Sequence, residues 1–281
     1  MITIIKPSAQ IVELTNNVLK DIEHVGRICY KSEDKTTEDS HLKFVQNMMN
    51  RSHYSPLEFG IVSFAFSDTI AFINIDKEMQ YAKYIHKRYT DHGVVITGSV
   101  RAFYEFMPGY TDPFNLGSVL GQELPEFFKP RACVPGYWQR CYDHKVTLVK
   151  FTVSRAISHE LVRHRVMSWM QESQRYCRYD ECLPVVQPHW ADEQVDSGIF
   201  GSWKQHMEDS HNAYKFALRN LSPQDARGVL PNDTKTELYC LGTDEQWKDM
   251  FRLRCSPAAH PEMRRVMCPL SDDFKATWRI V

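Results

Sequence analysis

Between positions 159 and 178 the chain reads HELVRHRVMSWMQESQRYCR, which sets four arginines (Arg163, Arg165, Arg175, Arg178) and two histidines (His159, His164) against Glu160 and Glu172 alone. A guanidinium presents a rigid fork of donors that meets phosphate or carboxylate oxygens two at a time, so this density suits recognition of an anion. The QESQR turn adds the Ser173 hydroxyl, backbone N–H groups and the Arg175 fork, a set fitted to phosphate. On a helix, Glu160 lies three residues before Arg163 and four before His164, so it shares their face and can orient both. The competing reading is a solvated basic face whose arginines snorkel or pair with Glu160, Glu172, Asp180 and Glu181.

Other chemistries fail on spacing. HELVRH is one residue out of step with the zinc-protease pattern. On a helix His159 and His164 point about 140° apart, and Arg163 holds the second ligand position, where a cation repels a metal. There is no GxGxxG, Walker loop or G-x-S-x-G elbow. Ser168 and Ser173 lie near His164 with no Asp placed for a triad. None of the eight cysteines forms C-x-x-C, so free and mostly buried thiols are expected.

The elements that must position these residues read as mixed α and β. ITII (2–5) reads as a short apolar strand, IVSFAF (61–66) and VTLVKFTV (146–153) alternate as strands, and the last two are expected to be sheet neighbours. Val18, Leu19, Ile22 and Val25 repeat at helical spacing. Asp39 can cap a helix over SHLKFVQNMMN. Later helices are expected over about 201–221, at 223–228, after Thr243, where T-x-x-Q forms a capping box with Gln246, and from Pro261; TELYCL is a strand. Trp169 and Met170 are expected to be packing residues. The segment of about 67–145 carries MPGYTDPFNLGS and KPRACVPGYW, whose Pro and Gly break regular structure, and reads as an insertion within a single domain of 1–281.

Length and charge narrow the function. The 281 residues can bury a sizeable core, and 43% hydrophobic with 25% charged residues is globular composition. A net charge of −1 supplies no global basic excess, which argues against a nucleic-acid coat. No segment reads as a signal peptide or a membrane span, so a cytoplasmic protein with no membrane partner is expected.

RHRVMSWMQES followed by QRY resembles the signature of the flavin-dependent thymidylate synthases. HYSPLEFGIVSFAF, RAISHELVRHR, ARGVLPNDTKTEL and LRCSPAAHPEM resemble further blocks of that family in family order, and TGSVRAFYEF (97–106) resembles a segment of its insertion-bearing members. The resemblance implies an α/β fold with a central, mainly antiparallel sheet flanked by helices. It implies reductive methylation of dUMP to dTMP, with methylene-tetrahydrofolate as carbon donor and FAD, reduced by NADPH, as hydride source, in a homotetramer with shared active sites.

Residue by residue, it implies a dUMP site of Glu160, Arg163, Gln171, Glu172, Ser173, Arg175 and Arg227, with Arg175 and Arg227 on the phosphate. Arg254 would meet the pyrimidine and stabilise negative charge developing there. Ser55, Glu58, Arg163, His164, Arg165 and Gln171 would bind the flavin; no metal is implied. The sequence departs from the family at Thr243, Asp244 and Glu245, where an Asn-x-Arg pair is common, at Asp249 and at Met170. Acids at 244 and 245 suit the first turn of a helix but would repel a pyrophosphate, which implies weaker flavin binding, an altered flavin placement or compensation by Arg101. Two alternatives follow: a related flavin/folate enzyme with another nucleotide or one-carbon product, and a non-catalytic nucleotide-binding relative without flavin.

Overall fold

The computed structural model describes residues 1–15, 17–66, 85–90, 93–106, 146–192 and 197–278. In chain order these form β1 (Ile2–Ile5), β2 (Ser8–Val12), α1 (Val18–Gly26), α2 (Ser40–Asn50), β3 (Ile61–Phe66), β4 (Ile85–Thr90), β5 (Gly93–Ser99), α3 (Val100–Phe106), β6 (Val146–Ser154), α4 (Arg155–Leu161), β7 (Ser168–Gln171), β8 (Leu183–Val186), α5 (Ser197–Ala217), α6 (Pro223–Ala226), β9 (Lys235–Thr243), α7 (Asp244–Arg254) and α8 (Pro261–Trp278). Single 3-10 turns include Ser55–Phe59 and Arg227–Val229. The protein is thus mixed α/β, with antiparallel sheets accompanied by helices. These residues group into two compact units, one of 1–13, 28–32 and 146–281, the other of 14–27 and 33–145.

The first unit is built on the antiparallel sheet β2-β6-β9-β7. β6 and β9 pair along nine positions, from Val146↔Thr243 to Ser154↔Lys235. Alternation along these strands sends Val149, Phe151, Val153, Leu238 and Cys240 to one side, where they pack against Trp247, Met250 and Phe251 of α7 and Met263, Val266, Met267, Leu270 and Phe274 of α8. Burying such side chains contributes about 1.5–3 kcal/mol each, which anchors α7 and α8 to the strands. Thr243 ends β9 and caps α7: its Oγ1 accepts Gln246 N–H, and Gln246 Oε1 accepts Thr243 N–H, the expected capping box. β1 pairs in parallel with β8, and these strands, with α5 and α6, enclose a smaller core around Leu183, Val185, Met207 and Tyr214.

In the second unit Asn17 caps α1 by accepting Leu19 and Lys20 N–H. α2 starts at the expected place, but Asp39 makes no capping bond; Ser40 Oγ instead accepts Thr37 N–H. Gly60 is required by close approach, since a Cβ there would lie 2.6 Å from Ile22 Cδ1.

Two expectations are corrected. β3 and β6 are not neighbours: β3 pairs with β5, and β6 with β2 and β9. β4 and β5 lie within the segment read as an insertion, and the β-branched run Val94–Thr97 takes the pairing that β3 needs. The helix expected over 201–221 is Ser197–Ala217. MPGYTDPFNLGS, KPRACVPGYW, Cys133 and Cys141 lie outside the described residues.

Candidate functional site

The basic span does not continue as a helix. α4 stops at Leu161; Arg163 N–H and His164 N–H close short turns onto the carbonyls of Glu160 and Leu161, and the Trp169 indole N–H caps the His164 carbonyl at 3.0 Å. Glu160 therefore does not orient Arg163 from one helix face. It orients Arg254, ninety-four residues later, at the last turn of α7. Arg254 Nη1 donates to Glu160 Oε2, Nη2 to the Glu160 carbonyl and Nε to His164 Nε2, each at 2.9 Å. Three of the five guanidinium N–H donors are thereby fixed, leaving one on each Nη for a ligand. His164 accepts through Nε2 and so is neutral with its proton on Nδ1. Burial, then the Arg254 charge, pushes its pKa below the ordinary histidine value.

β7 carries the next residues, paired with β9 from Ser168↔Leu241 to Gln171↔Leu238. Trp169 packs beside Phe151, and Met170 is buried, with Cys29 Sγ 3.0 Å from its sulfur, so both are packing residues. Gln171 Nε2 donates to Ser158 Oγ at 2.9 Å and Thr236 Oγ1 at 3.2 Å, which leaves its carbonyl oxygen as the group able to accept from a ligand.

Glu172 is only 2% exposed, and its carboxylate is turned inward. Oε1 accepts from Tyr179 at 2.7 Å; Oε2 accepts from Lys235 at 2.9 Å and from Glu237 N–H at 3.2 Å. Glu237 in turn meets Lys31, Lys150 and Lys235. Burial raises the Glu237 pKa, but hydrogen bonds from Lys150 and Lys31 and the Lys235 charge outweigh it, leaving it at about 2. Burial likewise works against the Lys235 ammonium, and Glu172 and Glu237 more than offset it.

The chain then turns. Ser173 N–H reaches the Cys29 carbonyl at 3.3 Å, Ser173 Oγ accepts Arg175 N–H at 3.3 Å, and the Arg175 guanidinium lies 5.5 Å from the centre of the Tyr176 ring. Arg163, Arg165, Arg175 and Arg227 are exposed and make no ion pair among the described residues; only Arg178 pairs with an acid, Asp180 at 3.2 Å. Ser55 and Glu58 belong to the second unit, where Glu58 accepts from Arg101 at 2.6 Å and Arg101 also bonds Glu105. At the start of α7 the Thr243 hydroxyl is occupied by its cap, and Asp244 and Glu245 fill the first turn.

Sequence reasoning missed Tyr179, Lys235 and Arg155 around this turn. Arg155 had a local signal: it follows the cap Ser154 as first residue of α4, where a cation opposes the helix dipole. The other two had none, because their contacts close over seven and sixty-three residues.

Residues 137–278 match the model of a family described as thymidylate synthase complementing protein. The chain is 34% identical over 124 residues to the flavin-dependent thymidylate synthase of Pyrococcus furiosus, covering 43% of this chain and 50% of that protein. It is 29% identical over 145 residues to the protein of that name from Sulfurisphaera tokodaii, covering 51% and 55%. Against the one from Mycobacterium tuberculosis it is 33% identical over 129 residues, covering 41% and 51%. The chain thus spans about half the length of these curated relatives.

Proposed function

Because the chain belongs to the thymidylate synthase complementing protein family, we propose that it is a flavin-dependent thymidylate synthase. It methylates dUMP to dTMP, with methylene-tetrahydrofolate as carbon donor and FAD reduced by NADPH as hydride source. The observation that carries this reading is Arg254, held by Glu160 and His164 with two donors to spare. Its likeness to proteins named for that reaction supplies the rest.

In this reading Arg254 is the catalytic residue. Its spare N–H groups face the pyrimidine and stabilise the negative charge that grows on the ring nitrogen and carbonyl oxygens as C5 becomes the nucleophile toward the one-carbon unit. A guanidinium suits this because it keeps its proton, and the bonds to Glu160 and His164 fix it before charge appears, so little reorganisation is needed. Gln171 presents its carbonyl oxygen to a ring N–H. Ser173, Arg175 and Arg227 take the phosphate, with Arg163 beside them, and Glu172 holds the turn from within.

The donor set fits a flavin. Arg163 and Arg165 are exposed cations without ion pairs among the described residues, suited to a diphosphate; His164 and Gln171 offer polar groups suited to a ring edge. Those four residues would hold the FAD, which supplies the hydride when bound. In the first turn of α7 the Thr243 hydroxyl oxygen accepts the cap bond, and Asp244 and Glu245 are anionic, which does not suit a diphosphate. We read residues 1–281 as one domain with about 67–145 inserted, acting as a cytoplasmic homotetramer with shared sites. All six described cysteines are free thiols, and no helix among the described residues is long and apolar enough to cross a membrane.

The test is the visible spectrum of the purified protein with added FAD, then NADPH oxidation and release of tritium from dUMP labelled at C5. We expect a flavin spectrum and release that requires methylene-tetrahydrofolate. A colourless protein that binds dUMP and takes up no FAD would replace this reading with the non-catalytic one. Turnover of dCMP in place of dUMP, or a hydroxymethylated product, would replace it with a shifted reaction.

A further inference from the structure

We propose that Cys255 and Cys268 form a dithiol that small-molecule disulfides oxidise reversibly to an intramolecular disulfide, and that this bond displaces Arg254. The effect on turnover, though not the bond itself, rests on the activity proposed above. Of the six described cysteines, Cys29, Cys177 and Cys240 are buried, and Cys182 meets the Thr3 hydroxyl at 2.9 Å. Cys255 and Cys268 are half-buried and hydrogen-bond to each other, thiol to thiol. They come from different helices. Cys255 caps the C-terminus of α7, its N–H donating to the Phe251 carbonyl at 2.9 Å, and Cys268 lies on α8. Ser256 closes the turn between the helices: its Oγ donates to the Leu253 carbonyl at 3.0 Å, and its carbonyl accepts Ala259 N–H at 3.0 Å.

Burial, then the Cys268 thiol, pushes the Cys255 pKa up to about 12, so Cys255 keeps its proton and donates it to the Cys268 sulfur. Oxidation needs an acceptor of two electrons, here a low-molecular-weight disulfide such as oxidised glutathione. Cys268 attacks that disulfide, forming a mixed disulfide and releasing one thiol, which takes the Cys268 proton. Cys255 then attacks the Cys268 sulfur, and its proton leaves with the second thiol. The protein loses two hydrogens and the small disulfide gains them. The closing step is favoured because the attacking sulfur already touches its target. α8 is anchored in the core by Met263, Val266, Met267, Leu270 and Phe274, whereas Cys255 packs only against the edge of that core. Drawing the sulfurs from hydrogen-bond contact to covalent distance therefore moves the end of α7. Arg254 is one peptide away, and its 2.9 Å bonds to Glu160 and His164 leave little slack.

The experiment treats the folded chain with oxidised glutathione, blocks the remaining thiols, and reads intact mass, disulfide-linked peptides and release of tritium from dUMP labelled at C5. We expect a Cys255–Cys268 link with the loss of two hydrogens, reversed by dithiothreitol and absent from both C268S and C255S. Tritium release should fall about 10- to 100-fold on oxidation and return on reduction, while C268S, with wild-type turnover before treatment, keeps it in the oxidant. The Arg254 Nε–H resonance, assigned by its loss in R254K, should shift on oxidation, which reads the displacement without any turnover. Glutathione added to single thiols, with no Cys255–Cys268 link, would overturn the inference. A link that leaves the Arg254 resonance and tritium release unchanged would overturn its control of Arg254. If the reduced protein releases no tritium, the proposed activity falls, and the linked peptides and the resonance still decide the inference.

Discussion

Around Glu172, two carboxylates, three lysines and a tyrosine satisfy one another, with Glu172 and Lys235 almost fully enclosed. Elsewhere along the same chain, Arg163, Arg165, Arg175 and Arg227 stand in solvent with no ion pair among the described residues. The difference separates two uses of charge. The enclosed set has its counterions built in and fixes the backbone of the turn; the outer set lacks them and can accept an anion. Arg254 stands between: three of its donors are engaged and two are left over.

Arg254 gives the sharpest test of that division. In Arg254→Ala, release of the C5 hydrogen should fall about 1000-fold, while dUMP affinity measured by calorimetry changes only a few-fold. Unchanged turnover would place Arg254 with the built-in charges. Next comes the enclosed set: Glu172→Gln removes the partner of a buried ammonium and should cost about 3 kcal/mol in urea unfolding. A loss near zero would show the network to be ornamental.

Acid should act on the same set through Glu237. Its pKa is about 2 in the folded protein against the ordinary 4.5. As pH falls through 4.5 the unfolded chain takes the proton first, so stability that is whole above 4.5 drains away toward pH 2. The contribution is about 3 kcal/mol, and Glu237→Gln should flatten that limb of a stability–pH curve. The smallest effect on stability belongs to the outer set: Arg175→Ala should shift the unfolding free energy by less than about 0.5 kcal/mol while weakening dUMP about 10-fold. A large stability loss there would erase the distinction.

What could be read from the sequence was local. The alternation in 146–153, the helical repeat of Val18, Leu19, Ile22 and Val25, and the Thr243–Gln246 capping box each lie within one element, and each forms as expected. β7 escaped notice because SWMQ is four residues long and becomes a strand only by pairing with β9. The partner of β3 was misassigned because strand pairing is non-local and β5 lay in a stretch read as insertion. In the site, the dense arginines were plain. That Glu160 serves Arg254 was not, since α4 ends two residues before Arg163 and the bond spans ninety-four positions.

Thr243 closes β9 and opens α7 with no residue between them. The polypeptide from Glu237 to Arg254 is therefore a gauge block, machined to one length. One residue added within β9 would exchange the sides of the strand, driving charge into the hydrocarbon around Trp247 and carrying the guanidinium at its far end out of reach of Glu160. Substitution can retune such a part; insertion cannot, and any tolerance for extra length must be sought elsewhere in the chain.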